Sequence, residues 1–546
     1  MAASTGAMTT TLAAAESIRR MAAERLGFGR LRPGQLEAIA ATVAGRDVLA
    51  VLPTGAGKSA IYELAGLLRA GPTVVVSPLI ALQDDQLAHL REAGLSAIVM
   101  NSTQSRGARV EALAASCGED EFVFVSPEQL TNAETREALR RARPGLFVVD
   151  EAHLISQWGQ DFRPDYLRLG AQADALGAGA RVALTATAAP PVRDEIVRRL
   201  GLRDPEVVIG DFDRPEIYLS VHHVGSGHEK QREVERAASE LEGSGIVYAA
   251  TRAGAQAVKD GLDAAGHDVA LYHAGLPKAA RREAMEAFLD GSARIVSATV
   301  AFGMGIDKAD VRWVLHADPP GSLDAYYQEI GRAGRDGKAA HARLVYRQAD
   351  LATARYLAAG GVSAAIIATI ATQVTDWPED PRVEELAEAA GLGARSVTLA
   401  LARLVDIGAA SWLADGRVRW SESMSPADAV RASAEQTARE HEIELSRLEM
   451  MRRYAEHTGC RRSFLLTYFG QDYPGPCGAC DNDLAHAATA PGEQPFPIGA
   501  RVRSGHWGEG TIQRYDRDQV TVLFDDHGYR DLVVSIVLDK ELLRAL

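Results

Sequence analysis

The stretch "DVLAVLPTGAGKSA", Asp47 to Ala60, decides the fold. A continuous apolar run passes through Pro and two glycines into a helical pattern. That is how a strand buried on both faces of a parallel sheet leads into its crossover helix. Gly55 and Gly57 let the backbone curl so that its N–H groups face an anion at the N-terminus of the next helix. Lys58 can then reach the β- and γ-phosphates of a nucleotide, and Ser59 can ligate Mg²⁺. Leu52 stands where the strict phosphate-loop pattern begins with Gly. The bland alternative is a Gly-rich turn at a helix start. Only seven of the 59 basic residues are lysines, and one holds the required place, so the phosphate loop is the better reading.

A second stretch, "FVVDEAHLISQWGQDFRPDY" (147–166), supplies partners. Asp150 and Glu151 close the strand-like run "LFVVD", roughly ninety residues after the phosphate loop. A carboxylate there can hold Mg²⁺, and its neighbour can accept a proton from an attacking water. Alone, the pair would be a solvated strand end; with the loop, nucleotide hydrolysis is favoured. Trp158, Phe162, Arg163 and Tyr166 follow in a turn-rich segment, where Gly159, Asp161 and Pro164 interrupt any regular core pattern.

Working outward, "TVVVSPL", "FVFVSP" and "VALTAT" extend the first series of buried strands, and "GIVYAAT", "VALYHA", "RIVSATVA" and "VRWVLHAD" form a second. Two α/β domains with parallel sheets are expected, joined near 203–216, with ligands at the carboxyl ends of the strands. Beyond Ala349, "VEELAEAAGLGARSVTLALARLVDIGAASWLADGRVRW" gives a helix-turn-helix followed by a hairpin around Asp415-Gly416. "AHAATAPGEQPFP" reads as a linker, and the last fifty residues alternate like a small antiparallel barrel.

Bulk properties set limits. At 546 residues several domains are expected, and 47% hydrophobic with 24% charged residues is ordinary for a globular protein. No apolar run approaches the ~20 residues of a membrane span. Four cysteines argue for a reducing cytoplasm rather than a disulfide scaffold. A net charge of −14 does not exclude nucleic acid, because phosphate binding needs only a local basic stripe.

The chain resembles RecQ-type DNA helicases of superfamily two. The likeness runs from Phe28 to about Asp350 and resumes from about Leu445 to Asp483. "FGRLRPGQ" (28–35) looks like the adenine-reading motif, "SPLIALQDDQ" (77–86) a strand-contacting one, and "TAT" (185–187) the element coupling the domains. "ATVAFGMGIDKADV" (298–311) and "YYQEIGRAGRDG" (326–337) match the second domain. The resemblance implies two tandem RecA-like parallel-sheet domains, at 16–205 and 206–355, after a flexible tail at 1–15. A winged-helix-like segment (360–425), a zinc-binding helical lobe (430–485), a linker (486–496) and an SH3/Tudor-like barrel (497–546) complete the expectation.

For the site, the resemblance implies ATP contacts from Arg32, Gln35, Pro53, Thr54, Gly55, Ala56, Gly57, Lys58 and Ser59. Ser59 and Asp150 would hold Mg²⁺. Arg332 and Arg335, three apart, are expected on one helix face aimed at the γ-phosphate, with Arg335 the finger. Trp158, Phe162 and Arg163 would sense single-stranded DNA, each base stack on an aromatic ring contributing roughly 1–3 kcal/mol. Gln160 stands where the family commonly has His, and the helix-turn-helix precedes the cysteines instead of following them.

"CRRSFLLTYFGQDYPGPCGACDND" (460–483) holds Cys460, Cys477 and Cys480, a distant ligand followed by C-x-x-C. The family's fourth cysteine position is Asp483 here, which predicts a Cys₃Asp zinc site; Asp481, His486 or water are the alternatives. The implied function is ATP-dependent 3′–5′ unwinding in DNA repair or recombination, on single-stranded and forked DNA, with a protein partner at the terminal module. An RNA-directed or non-unwinding translocase is the alternative within enzymes. A non-enzymatic DNA-binding regulator is the alternative outside them. The linker predicts an independent terminal module, with Arg501, Arg503 and Arg514 as a competing duplex grip.

Overall fold

In a computed structural model the chain divides into two compact units, residues 1–210 with 361–437, and 211–360 with 438–546. The structure describes residues 15–53, 55–78, 80–100, 122–155, 164–303, 308–358, 362–413, 415–485, 494–516 and 518–546.

The first unit is built on seven parallel strands: β1 (Val48–Val51), β2 (Thr73–Val76), β3 (Ala97–Met100), β4 (Phe122–Val125), β5 (Leu146–Val149), β6 (Arg181–Thr185) and β7 (Glu206–Ile209). Their order is β3-β4-β2-β5-β6-β1-β7. Val48, Leu49, Ala50 and Val51 are fully buried, as an inner parallel strand covered on both faces requires. The same unit contains the helix-turn-helix region, with helices Ala364–Asp376, Val383–Ala390 and Ala394–Asp406 and the hairpin β14 (Ala410–Trp412) and β15 (Val418–Trp420). Ile370, Leu386, Val397, Leu401 and Val418 form its own core.

The second unit carries six parallel strands, β8 (Ile217–His223), β9 (Ser244–Tyr248), β10 (Val269–Tyr272), β11 (Ile295–Ala298), β12 (Val311–His316) and β13 (Ala340–Tyr346). Their order is β10-β11-β9-β12-β13-β8. The cysteine-bearing lobe is stitched to the edge of this sheet. Leu219 N donates to Ala479 O at 3.1 Å and Val221 N to the Asp481 carboxylate at 2.8 Å.

The terminal residues form a five-stranded antiparallel sheet: β16 (Arg501–Ser504), β17 (Gly508–Asp516), β18 (Gln519–Phe524), β19 (Gly528–Val533) and β20 (Arg544–Ala545), in the order β19-β18-β17-β16-β20. This sheet is not an independent appendage, which corrects the sequence expectation. The Arg514 guanidinium lies 3.8 Å over the Phe464 ring, and Tyr529 stacks on Tyr468 at 5.4 Å. Tyr529 N donates to Ser446 Oγ at 3.1 Å, while Arg530 and Asp531 pair with Glu442 and Arg453 of the long helix Pro426–Glu456. Apolar rings and ion pairs of the sheet find their complement on the lobe's helices. Composition alone does not reveal such a long-range fit. Among the described residues no helix is long and apolar enough to cross a membrane.

Candidate nucleotide site and metal cluster

The carboxyl ends of β5, β6 and β1, neighbours in the first sheet, bring three motifs together. After β1 the chain turns through Gly55 and Gly57, both at positive φ (83° and 71°), into the helix Ser59–Leu68. Only glycine takes that conformation without strain, so the two positions are dictated by the curl of the loop. Lys58 sits at the helix start, its ammonium 3.4 Å from the Leu52 carbonyl. Thr54 lies outside the described residues; Pro53 is buried, Ala56 half-buried, and Arg32 exposed.

Gln35 is 4% exposed and holds the loop in shape. Its amide nitrogen donates to the carbonyls of Ala56 (3.0 Å) and Gly57 (2.7 Å), and its oxygen accepts from Arg32 N (2.7 Å). A Cβ on Gly57 would come within 2.8 Å of that amide, so the two residues fit only as a pair.

Asp150 and Glu151 follow β5. Burial raises the Asp150 carboxyl above its ordinary range, the Glu151 charge raises it further, and Lys58 lowers it. Two carboxylates packed this closely, with one ammonium nearby, lack positive charge. A divalent cation between Asp150 and the Ser59 hydroxyl fits that deficit. Glu151 adopts φ 49°, a left-handed conformation costly for a residue with a side chain. Its carboxylate lies 3.3 Å from His153 Nδ1, which also meets Thr185 Oγ1 at 2.9 Å. The TAT segment, through Thr185, therefore contacts the acid pair by way of His153.

Two residues here have roles that sequence reasoning did not reach. Tyr166, fully buried, donates its hydroxyl to the Asp150 carbonyl at 3.2 Å. Glu63 is fully buried on the loop's helix, and among the described residues neither of its oxygens has a hydrogen-bond partner of ordinary geometry. Burial pushes its carboxyl up to about 7, against a pull from the Ser59 hydroxyl. A glutamate inside "AIYELAGLL" was the available signal.

In the second unit, Arg332 and Arg335 do not share a helix face. The helix Leu323–Ile330 ends at Gly331, and both arginines lie in the following turn, where Gly334 takes φ 66°. Glycines three apart stop the helix before the spacing rule can act. Arg332 is 7% exposed and donates to the Gly303 carbonyl, whereas Arg335 is only half-buried. Trp158, Phe162 and Arg163 lie outside the described residues, as does His486.

Cys460, Cys477, Cys480 and Asp483 cluster with their ligand atoms all within 4.8 Å of one another. Asp483 Oδ2 accepts from Cys477 N (2.7 Å) and Gly478 N (3.1 Å), which holds the carboxylate beside the sulfurs. Ala479 N and Asp483 N lie 3.3 and 3.4 Å from the sulfurs of Cys477 and Cys480, donors of the kind that steady thiolate ligands. Asp481 is engaged elsewhere, with Arg461 Nε at 2.5 Å and Val221 N. Three sulfurs and one carboxylate oxygen at this separation suit tetrahedral Zn²⁺. In the terminal sheet, Arg501 pairs with Glu509 and Asp525 and Arg503 with Glu509, while Arg514 is buried against Phe464, so the three arginines of the competing duplex-grip reading do not form one open basic surface.

Comparison with known proteins assigns this arrangement. Residues 32–196 match the DEAD/DEAH box helicase domain, 229–337 the helicase conserved C-terminal domain, and 418–484 the RecQ zinc-binding domain. A RecQ ATP-dependent DNA helicase of Synechocystis is 34% identical over 86% of this chain and 98% of its own length. A RecQ helicase of Pasteurella multocida is 32% identical over 83% of this chain, which spans 60% of that relative. The fold is also similar to the DUF1998 helicase MrfA bound to DNA, with a TM-score of 0.51 at 18% identity over 75% of this chain and 63% of that one. With phosphate loop, acid pair and cysteine cluster all in the matched segments, the chain belongs to the RecQ family of ATP-dependent DNA helicases.

Proposed function

We propose that this protein is an ATP-dependent 3′–5′ DNA helicase that translocates on single-stranded DNA and unwinds forked duplexes in DNA repair or recombination, in the cytoplasm. The observation that carries the reading is the convergence of Lys58, Asp150, Glu151, His153 and Thr185 at the ends of adjacent strands.

In the proposed reaction the phosphate loop, Pro53 to Ser59 with Thr54, wraps the β- and γ-phosphates, and Arg32 and Gln35 face the adenine. Lys58 offsets the charge of the transferring phosphoryl group. Glu151 takes the proton from the attacking water, with His153 and Thr185 fixing its carboxylate. Mg²⁺, held by Ser59 and Asp150, supplies charge neutralisation at the phosphates. Arg335, with Arg332 bracing its turn, stabilises the γ-phosphate as the finger. Trp158 and Phe162 stack on bases and Arg163 binds the strand; Glu151 lies close enough in sequence to respond. Domain limits follow the proposed 16–205, 206–355, 360–425, 430–485 and 497–546, and an SH3/Tudor-like role for the last, with a protein partner, belongs to the same proposal.

Lys58→Ala and Glu151→Gln test the motor. Each is expected to lower DNA-stimulated ATP turnover by at least about 10²-fold while single-strand affinity stays near wild type. Turnover near wild type in both variants sinks the reading.

A further inference from the structure

The segment 361–437 has no role in the chemistry above. Winged helix-turn-helix modules read duplex DNA by laying the second helix of the turn in the major groove, which needs that helix free. In this chain only its first residues, Ala394 and Arg395, are exposed. Val397, Ala400, Leu401 and Leu404 of the helix Ala394–Asp406 fill the module's own core. Thr398 and Ala402 lie outside that core, yet they are only 8% and 1% exposed. The helix packs against the 3₁₀ turn Pro164–Arg168 of the nucleotide-binding domain. At its end Asp406 accepts from Arg199 Nη1 at 2.7 Å, and Arg199 Nε bonds Glu195 at 2.6 Å.

The wing is engaged on the same body. The Trp412 ring lies 4.0 Å beneath the Arg168 guanidinium, itself 8% exposed. At the hairpin turn, a Cβ on Gly416 would touch Thr131 at 3.9 Å. Second helix and wing strand both meet the nucleotide-binding domain, and the wing tip lies near Thr131. The turn they grip carries Tyr166, whose hydroxyl bonds the Asp150 carbonyl.

We infer that 361–437 is an intramolecular brace of the nucleotide site rather than a duplex-reading domain, with Trp412 acting through Arg168 and Tyr166 to position Asp150 and with the Asp406–Arg199 pair fixing the docking. Arg168 and Tyr166 share the turn Pro164–Arg168, so the route from Trp412 to Asp150 runs through that turn. Trp412 and Asp406 are positioning residues, not catalytic ones. The inference rests on the proposed ATPase reading.

The test uses the full chain with Trp412→Ala, Trp412→Phe and Asp406→Asn. It measures kcat and KM for ATP, affinity for a blunt duplex oligonucleotide, and amide hydrogen exchange over residues 164–168. Trp412→Ala is expected to lower kcat about three- to tenfold, with KM and duplex affinity unchanged and faster exchange in the turn. Trp412→Phe, which keeps a ring face beneath Arg168, is expected to restore most of it. Loss of duplex affinity with kcat intact overturns the inference in favour of DNA reading, and no change in kcat or exchange overturns it outright. Should Trp412→Ala fail to fold, Asp406→Asn, which removes one charge and keeps the shape, is judged by the same criteria. Absence of ATP turnover in the wild type defeats the proposed function instead, and exchange with duplex affinity still decides whether the module is docked.

Discussion

Asp483 has two tasks in the cysteine lobe. Oδ2 accepts the amides of Cys477 and Gly478, which shapes the C-x-x-C turn, and the carboxylate also completes the ligand cluster. Asp483→Ala removes both, and zinc affinity is expected to fall about 10- to 100-fold in a chelator competition. Asp483→Cys restores a ligand but not the acceptor for two amides. Zinc retention should therefore recover while the lobe stays about 1–3 kcal/mol less stable in urea titration. Equal zinc retention in Asp483→Ala and wild type would remove Asp483 from the ligand set. At this scale the sequence was readable wherever spacing is local: Gly55 and Gly57 take the positive φ of the curl, Lys58 stands at the helix start, and the three cysteines cluster. It was silent on Glu63, and it named Tyr166 without the bond to the Asp150 carbonyl that gives that residue its role. It misplaced Arg332 and Arg335 because Gly331 and Gly334 break the helix that the spacing assumed.

Among elements, the strands of the two parallel sheets announced themselves as apolar runs, with four exceptions. β3, β7, β8 and β13 were not picked out: β3, β7 and β8 are sheet edges, and β8 and β13 carry His, Ser or Arg among their apolar residues. On β7, Val207 and Ile209 are 44% and 46% exposed, so its pattern is not that of a buried strand. The terminal sheet was readable as one alternating antiparallel stretch, but its docking was not. Gly528 shows how close that docking is. A Cβ there would lie 2.2 Å from Ser446 Oγ, at φ 69°. Removing residues 494–546 would uncover Phe464 and Tyr468, now 2% and 1% exposed. Tyr468 also donates to Asp324, at the start of the helix leading to Arg332, at 2.5 Å. The truncated protein is expected to lose about 2–4 kcal/mol of stability in the second unit, given two large rings uncovered. It should also bind zinc less tightly, as read by thermal unfolding with and without chelator. An unchanged melt would mean that the lobe holds itself.

For the whole molecule the two units are interleaved in sequence. Each takes an early and a late portion of the chain, so the backbone passes between them after residues 210, 360 and 437. A fragment ending at residue 360 contains both parallel sheets and looks like a complete motor, yet its first unit lacks 361–437. Arg199 then loses Asp406 and Arg168 loses Trp412. That fragment is expected to unfold its first unit at lower urea than the full chain does, by at least about 1–2 kcal/mol. Coincident midpoints would show that the late portion adds nothing.

The interleaving also sets a timetable on the ribosome. A first unit that needs residue 437 cannot close until four-fifths of the protein has been synthesised, by which time the second sheet has already emerged. At translation speeds of about 5–20 residues per second, the early portion waits roughly ten seconds or more for its late partner. During that interval the turn Pro164–Arg168 and the Arg199 helix lack their cover, and the nascent chain is the species most exposed to chaperones and proteases.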